Sequence, residues 1–432
     1  MISPTRILEA ILRQGMEQVE VMVEDVEDIH AEIKNSRLYS SHREKSRTLR
    51  VRSYWKKRKG IWKGEEWQEG FASHIAELTR ASEPDVHFHS LPSPETCPQV
   101  EGLTGKGLSD LTLDKILLLG NRITRFFQDK AGDAVLTGNL SLLRKKISLV
   151  NSQGISLEKE EAIFYLEAEV IKWEKGEAGS AVDFLYVRDL SRLDWERLLL
   201  DLYKKARLSL RRRKLPSGVY PAVFSPLSTF LLLRTLGGSL DAESIYRKRS
   251  FMVGKLGEKI ARKNIVLYDD PLIPGGIYSS PFDGEGVPHR RITLIDKGIL
   301  QTYLHNSYTA HRDKVENTAH ASPDGGISPT NLILERGKRL TREWFRDIDR
   351  GIYLDFLSLS PHPVSGDFSQ PLDFAFIIEK GEIKEALEGA MVGGNFLRLL
   401  TRIREISSDW RDFPGNPTPS LLVDELILTS EA

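Results

Sequence analysis

Residues 218–266 read GVYPAVFSPLSTFLLLRTLGGSLDAESIYRKRSFMVGKLGEKIARKNIV, and this stretch sets the character of the C-terminal half. Just before it, Leu215-Pro216-Ser217-Gly218 ends a helical pattern, because proline lacks an amide donor and clashes with the preceding turn. Short β segments then alternate with turns, and residues 227–236 read as a helix set among them. Further on, two hairpins have nearly the same text: Leu294 to Leu300 around Asp296-Lys297-Gly298, and Ile377 to Ile383 around Glu379-Lys380-Gly381. Each acid-lysine-glycine turn joins two strand-like arms, with glycine supplying a positive φ. Helices are also expected over residues 342–349 and 395–406. The half as a whole reads as mainly antiparallel β with helices packed on it.

Upstream, Ile7, Leu8, Ile11 and Leu12 share one face of a short helix, with Thr5 as its cap and Gly15 at its end. Val19, Val21 and Val23 alternate with polar neighbours, as in a half-buried strand, and Ile29, Ala31 and Ile33 repeat the pattern as another. A third strand over 48–55 enters a turn at 56–60 and returns through Ile61 and Trp62. Residues 82–107 are rich in Pro, Ser, Thr and Gly and read as a linker. A helix follows over 111–127, then strands over 147–150 and 162–171, the second an edge strand, then a long surface helix over 189–213. The expected fold class is α+β: an N-terminal α+β domain (1–81), the linker, a central α/β region (108–214) and a β-rich C-terminal domain (215–432).

The 432 residues are enough for two or three domains with cores of their own. Lys plus Arg and Asp plus Glu number 61 each, so no net charge draws the chain to nucleic acid or an anionic membrane. A single cysteine, Cys97, excludes an internal disulfide and a Cys-rich zinc module. The opening MISPTRILEA has no signal-peptide pattern, and no apolar run approaches the roughly 18 residues of a membrane span. A cytoplasmic location is expected.

The stretch 218–266 resembles the start of the C-terminal domain of the TldD/PmbA family, also called modulators of DNA gyrase. The resemblance continues through 269–276 (DDPLIPGG) and 280–288 (SPFDGEGVP), where Gly284 separates two acids that adjoin in the family's phenylalanine–acid–acid–glycine segment. Further matches at 303–308, 328–334, 365–368 and 419–424 follow in the family's order. The resemblance implies a metallopeptidase system whose TldD-type subunit carries a helical HExxxH motif and a later cysteine ligand. Two such histidines can reach one metal and the glutamate can act as base on its water. Here Leu233, Arg234 and Gly238 stand at the first His, the Glu and the second His, and residues 407–419 contain no cysteine. Neither Leu nor Gly offers a ligand, and Arg234 is a fixed cation. The departure fits a metal-free TldE/PmbA-type subunit, without cofactor of its own, that pairs with a zinc-bearing TldD-type chain and acts on unstructured peptides. A homodimer in isolation is compatible with this reading.

Candidate peptide-channel residues are Phe282, Asp283, Glu285, Arg290, Gly393 and Gly394, with Arg291 beside them. The two acids could do acid–base work, but capping a turn is the plainer reading. The histidines His87, His89, His289, His305, His311 and His320 form no short-spacing metal motif, and Ser225 and Ser250 have no adjacent His–Asp pair. The run Arg50 to Lys59 mixes basic and aromatic residues, as nucleic-acid surfaces do, yet it also describes a hairpin with a solvated basic face. Two other function classes therefore stand beside the subunit reading: a DNA- or gyrase-associated binding protein, and an independent peptidase with an unrecognised site.

Overall fold

In a computed structural model describing residues 2–430, six long strands form the first sheet. They are β1 (Gln18–Lys34), β2 (Arg37–Trp55), β3 (Arg58–Gly64), β4 (Ala134–Asn151), β5 (Ser156–Glu174) and β6 (Glu177–Val187), all antiparallel in the order β3-β2-β1-β4-β5-β6. The two alternating runs near the N-terminus are one strand. Val19, Val21, Val23, Ile29, Ala31 and Ile33 have the same parity and all are buried. The charged middle stays extended because Arg47 bonds Asp25 at 2.6 Å and Arg144 bonds Glu27 at 2.6 Å across the neighbouring strands.

Helices cover one face of this sheet. α1 (Pro4–Leu12) and α2 (Phe71–Ala81) pack Ile7, Ile11 and Ile75 on Val19, Val21 and Val51. The cap of α1 is Ser3, not Thr5, since Pro4 already takes the first helical position. α3 (Leu113–Ala131) covers Ile29, Ala31 and Ile33 with Ile116, Ile123 and Phe127. α4 (Trp195–Leu208) is shorter than the expected 189–213, because Asp194 caps a fresh start and the chain leaves the helix after Ser209. It is also not a surface helix: Trp195, Leu198, Leu199 and Leu202 are buried. β5 proves to be an interior strand, with β6 at the edge. Of the polar side chains over 162–171 that suggested an edge, Glu167 instead accepts from Asn139 Nδ2 of β4 at 3.4 Å.

Residues 82–107 form a strap tied by its peptide groups. Leu91 N donates to Gln18 Oε1 (2.7 Å), Leu103 O accepts from Ala162 N (2.8 Å), and Glu101 O accepts from Gly275 N (2.9 Å). The strap thereby touches both halves.

The C-terminal half runs β7 (Arg212–Arg213), β8 (Gly218–Phe224), α5 (Pro226–Gly238), α6 (Ala242–Tyr246), β9 (Leu267–Asp269), β10 (Ile292–Asp296), β11 (Ile299–Leu300), α7 (Ser307–Asp313), β12 (Leu332–Leu334) and α8 (Thr341–Asp347). It continues with β13 (Arg350–Phe356), β14 (Asp367–Pro371), β15 (Phe374–Glu379), β16 (Glu382–Leu387), β17 (Ala390–Asn395), α9 (Phe396–Arg402), β18 (Ile403–Phe413) and β19 (Asn416–Ser430). A nine-stranded sheet has the order β14-β17-β19-β8-β13-β15-β16-β7, with β18 on β19, and a four-stranded sheet has β11-β10-β9-β12. Among the described residues, only β8–β13 and β7–β16 are parallel strand pairs. Both expected hairpins form, and in each the lysine as well as the glycine has positive φ (Lys297 48°, Gly298 83°; Lys380 49°, Gly381 85°). The twist of such turns suits tight antiparallel arms. The expected helix over 395–406 stops at Arg402, where Ile403 turns extended and pairs with Val423. With 22% helix and 41% strand the protein is α+β. No helix among the described residues is long and apolar enough to cross a membrane.

Candidate functional site

Even-numbered residues in the first half of β1 point away from the helices, toward the C-terminal half. There Met22 joins Ile147, Leu149 and Ile155 in a small core on the second face of the first sheet. The turn 280–288 descends onto this face. Its Asp283 carboxylate accepts from Glu285 N (2.8 Å), Val287 N (3.0 Å) and Ala321 N (3.1 Å), so one side chain organises the turn and ties it to the next segment. Gly284 is required by close approach: a Cβ there would lie 2.5 Å from the Ser322 carbonyl carbon. That packing explains the glycine between the two acids.

Asp283 and Glu285 are each only 4% exposed, and they are held differently. Burial first, and the Glu285 charge second, push the Asp283 carboxyl up to about 7 despite its three amide donors. Burial also works against an ionised Glu285, but Arg52 and Ser307 outweigh it and hold its carboxyl below the usual range. Arg52 Nη1 reaches Glu285 Oε1 at 3.0 Å and Ser307 N reaches Oε2 at 2.9 Å. The same guanidinium binds Glu20 at 2.6 Å, and burial raises the Glu20 carboxyl even so. One buried cation thus holds two carboxylates and pins the two halves of the protein together.

Two cavities flank the turn. One, of about 310 Å³, is lined by Phe282, Asp283, His289, His320, Lys159 and Arg188 among others. His289 donates from Nδ1 to Ser280 O at 2.8 Å, and burial brings its pKa down to about 3, so the ring is neutral. The other cavity, of about 350 Å³, is lined by Glu285, Arg52, Lys59, Tyr308, His89 and His311 among others. There His89 and His311, far apart in sequence, stack with ring centroids 4.3 Å apart.

The six channel candidates do not converge. Phe282 and Asp283 line the first cavity and Glu285 the second. Arg290 lines neither; it bonds Asn317 O at 2.6 Å and Glu316 at 2.7 Å, while Arg291 lies over the Tyr268 ring. Gly393 and Gly394 sit in β17 beside β14, at a separate groove with Phe368 and Arg398. On α5, Leu233 is buried in the main C-terminal core and Gly238 is exposed. Arg234 donates to Pro329 O (3.2 Å) and Thr330 O (2.8 Å) and stacks 4.2 Å above the Tyr278 ring. The basic run 50–59 is not simply a solvated face, since Arg50 bonds Glu24 at 2.8 Å and Arg52 is buried in its double pair. Sequence reasoning missed Lys159 and the pairing role of Arg52. The alternation of β5 was the one signal available for Lys159, and nothing local marks Arg52 apart from its basic neighbours.

Comparison with known proteins places these features. Residues 217–430 match the family described as PmbA/TldA metallopeptidase C-terminal domain. An uncharacterized protein of Methanocaldococcus jannaschii is 29% identical over 317 residues, 71% of this chain and 72% of its own length. Metalloprotease PmbA of Escherichia coli O157:H7 is 26% identical over 245 residues, 56% of this chain and 52% of its own, so the match spans about half of that relative. In three dimensions, TldE from Thermococcus kodakarensis superposes with a TM-score of 0.89 at 24% identity, over 98% of this chain and 99% of that one. At that identity the likeness is one of fold.

Proposed function

The chain belongs to the TldD/PmbA family, and on that premise we propose that it is a metal-free, TldE/PmbA-type subunit that completes a peptide-binding chamber beside a zinc-bearing TldD-type partner. The observation that carries the reading is the chemistry of α5. Leu233 is packed in an apolar core, Arg234 is a cation already committed to two carbonyls and a ring, and Gly238 has no side chain. These residues do not fit a zinc ion, which needs N, S or O ligands and is repelled by a guanidinium. No hydrolytic step is assigned to this chain.

What it supplies is surface. Unstructured peptides are held with little sequence demand by adding a strand to a sheet edge. β14 is the outer strand of the large sheet, and Gly394 of β17 leaves room beside it for the Phe368 ring. The alternative of DNA binding drew on the run 50–59, where Arg50 and Arg52 spend their charge on Glu24, Glu20 and Glu285.

Mixing the purified chain with a TldD-type HExxxH chain and measuring mass by light scattering tests the pairing. A stable species containing both chains is expected. Only separate species at micromolar concentration would overturn the reading.

A further inference from the structure

We propose that the cavity of about 310 Å³ between the first sheet and the turn 280–288 is a receptor for a carboxylate carried on an apolar group, with Lys159 as its cation. The proposal concerns a ligand of this chain itself and does not depend on the subunit reading.

Among the described residues, Lys159 Nζ has one hydrogen-bond partner, Ser280 Oγ at 2.7 Å, and no carboxylate in an ion pair with it. The acids nearby are committed elsewhere. Glu161 pairs with Arg188 at 3.3 Å, and both oxygens of Asp283 are taken by backbone amides. The other cations of the cavity are committed as well. Arg188 spends its donors on the carbonyls of Leu103, Gly276 and Ile277 besides Glu161, and Lys145 pairs with Glu24 at 3.6 Å. Lys159 is half-buried with no carboxylate in direct contact, and an anionic ligand can fill that place. Burial, with the Arg188 and Lys145 charges added, lowers the Lys159 pKa, while the Glu161 and Asp283 charges oppose them.

The remaining polar groups fit one carboxylate better than a phosphate. His320 lines the cavity with 1% exposure, and its Nε2 has no hydrogen bond; Asp269 Oδ2 lies 3.4 Å away. One ammonium and one imidazole match a single carboxylate, whereas phosphate sites gather several charged or amide donors. Met22, Leu143, Ile147, Ile163, Ile277 and Phe282 give the rest of the wall an apolar character. The volume is at the low end of the roughly 300–1,000 Å³ of small-molecule sites.

Two sources offer this chemistry: the C-terminal carboxylate of a peptide and a free amino-acid derivative.

Calorimetric titration of the full chain distinguishes these sources with three probes: N-acetyl-Ala-Ala-Leu as the free acid, the same peptide as its C-terminal amide, and N-acetyl-leucine. The acid peptide should bind at least about tenfold more tightly than the amide, the loss expected for one charge-assisted contact. Lys159→Met, which keeps the stem and removes the charge, should abolish that preference while keeping the unfolding midpoint of the parent. Acetyl-leucine binding as well as the acid peptide would assign the site to a small acid, and weaker binding would assign it to peptide termini; both sustain the receptor. Equal binding of acid and amide, no binding of either at millimolar concentration, or an acid preference that survives in Lys159→Met would overturn it. The comparison of acid with amide needs no variant, so it stands even if Lys159→Met fails to fold.

Discussion

On α5, Arg234 rests on the Tyr278 ring and gives its hydrogen bonds to the carbonyls of Pro329 and Thr330. Around the turn 280–288, by contrast, the buried Asp283 and Glu20 and the half-buried Lys159 have charges only partly answered. The first region holds a polar residue whose needs are met locally, which is how a structural side chain behaves. The second keeps several ionisable groups under tension in one place, which is where ligand chemistry and pH sensitivity concentrate. Of the two regions, α5 is the quieter, and the turn 280–288 gathers the buried ionisable groups.

The comparison can be broken most forcefully at Arg52. Arg52→Met leaves Glu20 and Glu285 buried without their shared guanidinium, at an expected cost of about 3–5 kcal/mol in urea unfolding. A loss below about 1 kcal/mol would mean that the junction is not held by charge.

Arg234→Met should cost less, about 1–2 kcal/mol, because it strands two carbonyl acceptors but no buried charge. A cost equal to that of Arg52→Met would erase the distinction between the regions.

The finest test is pH. His289 titrates at about 3 in the fold against an ordinary 6.5, so the unfolded chain binds that proton first and its contribution to stability is lost as pH falls through that window. Asp283 is raised from 3.8 to about 7, so the folded chain holds a proton that the unfolded chain releases, and that contribution is lost as pH rises through the window. The two slopes oppose each other in the parent. Relative to it, Asp283→Asn should lose stability more steeply on acidification between 6.5 and 3.8, and His289→Gln should lose it more steeply on going up. Urea midpoints across that range read the sign directly; unchanged slopes in both variants would contradict the assignment.

Much of the fold was legible because its signals are local. The alternation of Val19 to Val23 and that of Ile29 to Ile33, the helix over α5 and the two lysine–glycine hairpins each declare themselves within a short local segment. What stayed hidden is set by partners distant in sequence. Acids in the middle of β1 looked like a break because their arginines lie on β2 and β4, and β5 looked like an edge because its outward positions are polar while β6 covers it from further along the chain. The site was legible in part for the same reason. The acids of the turn could be named from the family's segment, whereas Arg52 and Lys159 come to them from positions 233 and 121 residues away from their contacts. Gly393 and Gly394 carried the same weight in the sequence as Asp283 and Glu285, yet they belong to another groove.

The central claim is that this chain holds no catalytic metal, because Leu233, Arg234 and Gly238 leave α5 without a donor. Elemental analysis of the purified chain after gel filtration, paired with hydrolysis of unfolded peptides before and after chelation, tests it most directly. The account predicts no stoichiometric zinc and no chelator-sensitive hydrolysis by the chain alone. About one tightly held zinc per chain, with activity lost on chelation and restored by zinc, would contradict it.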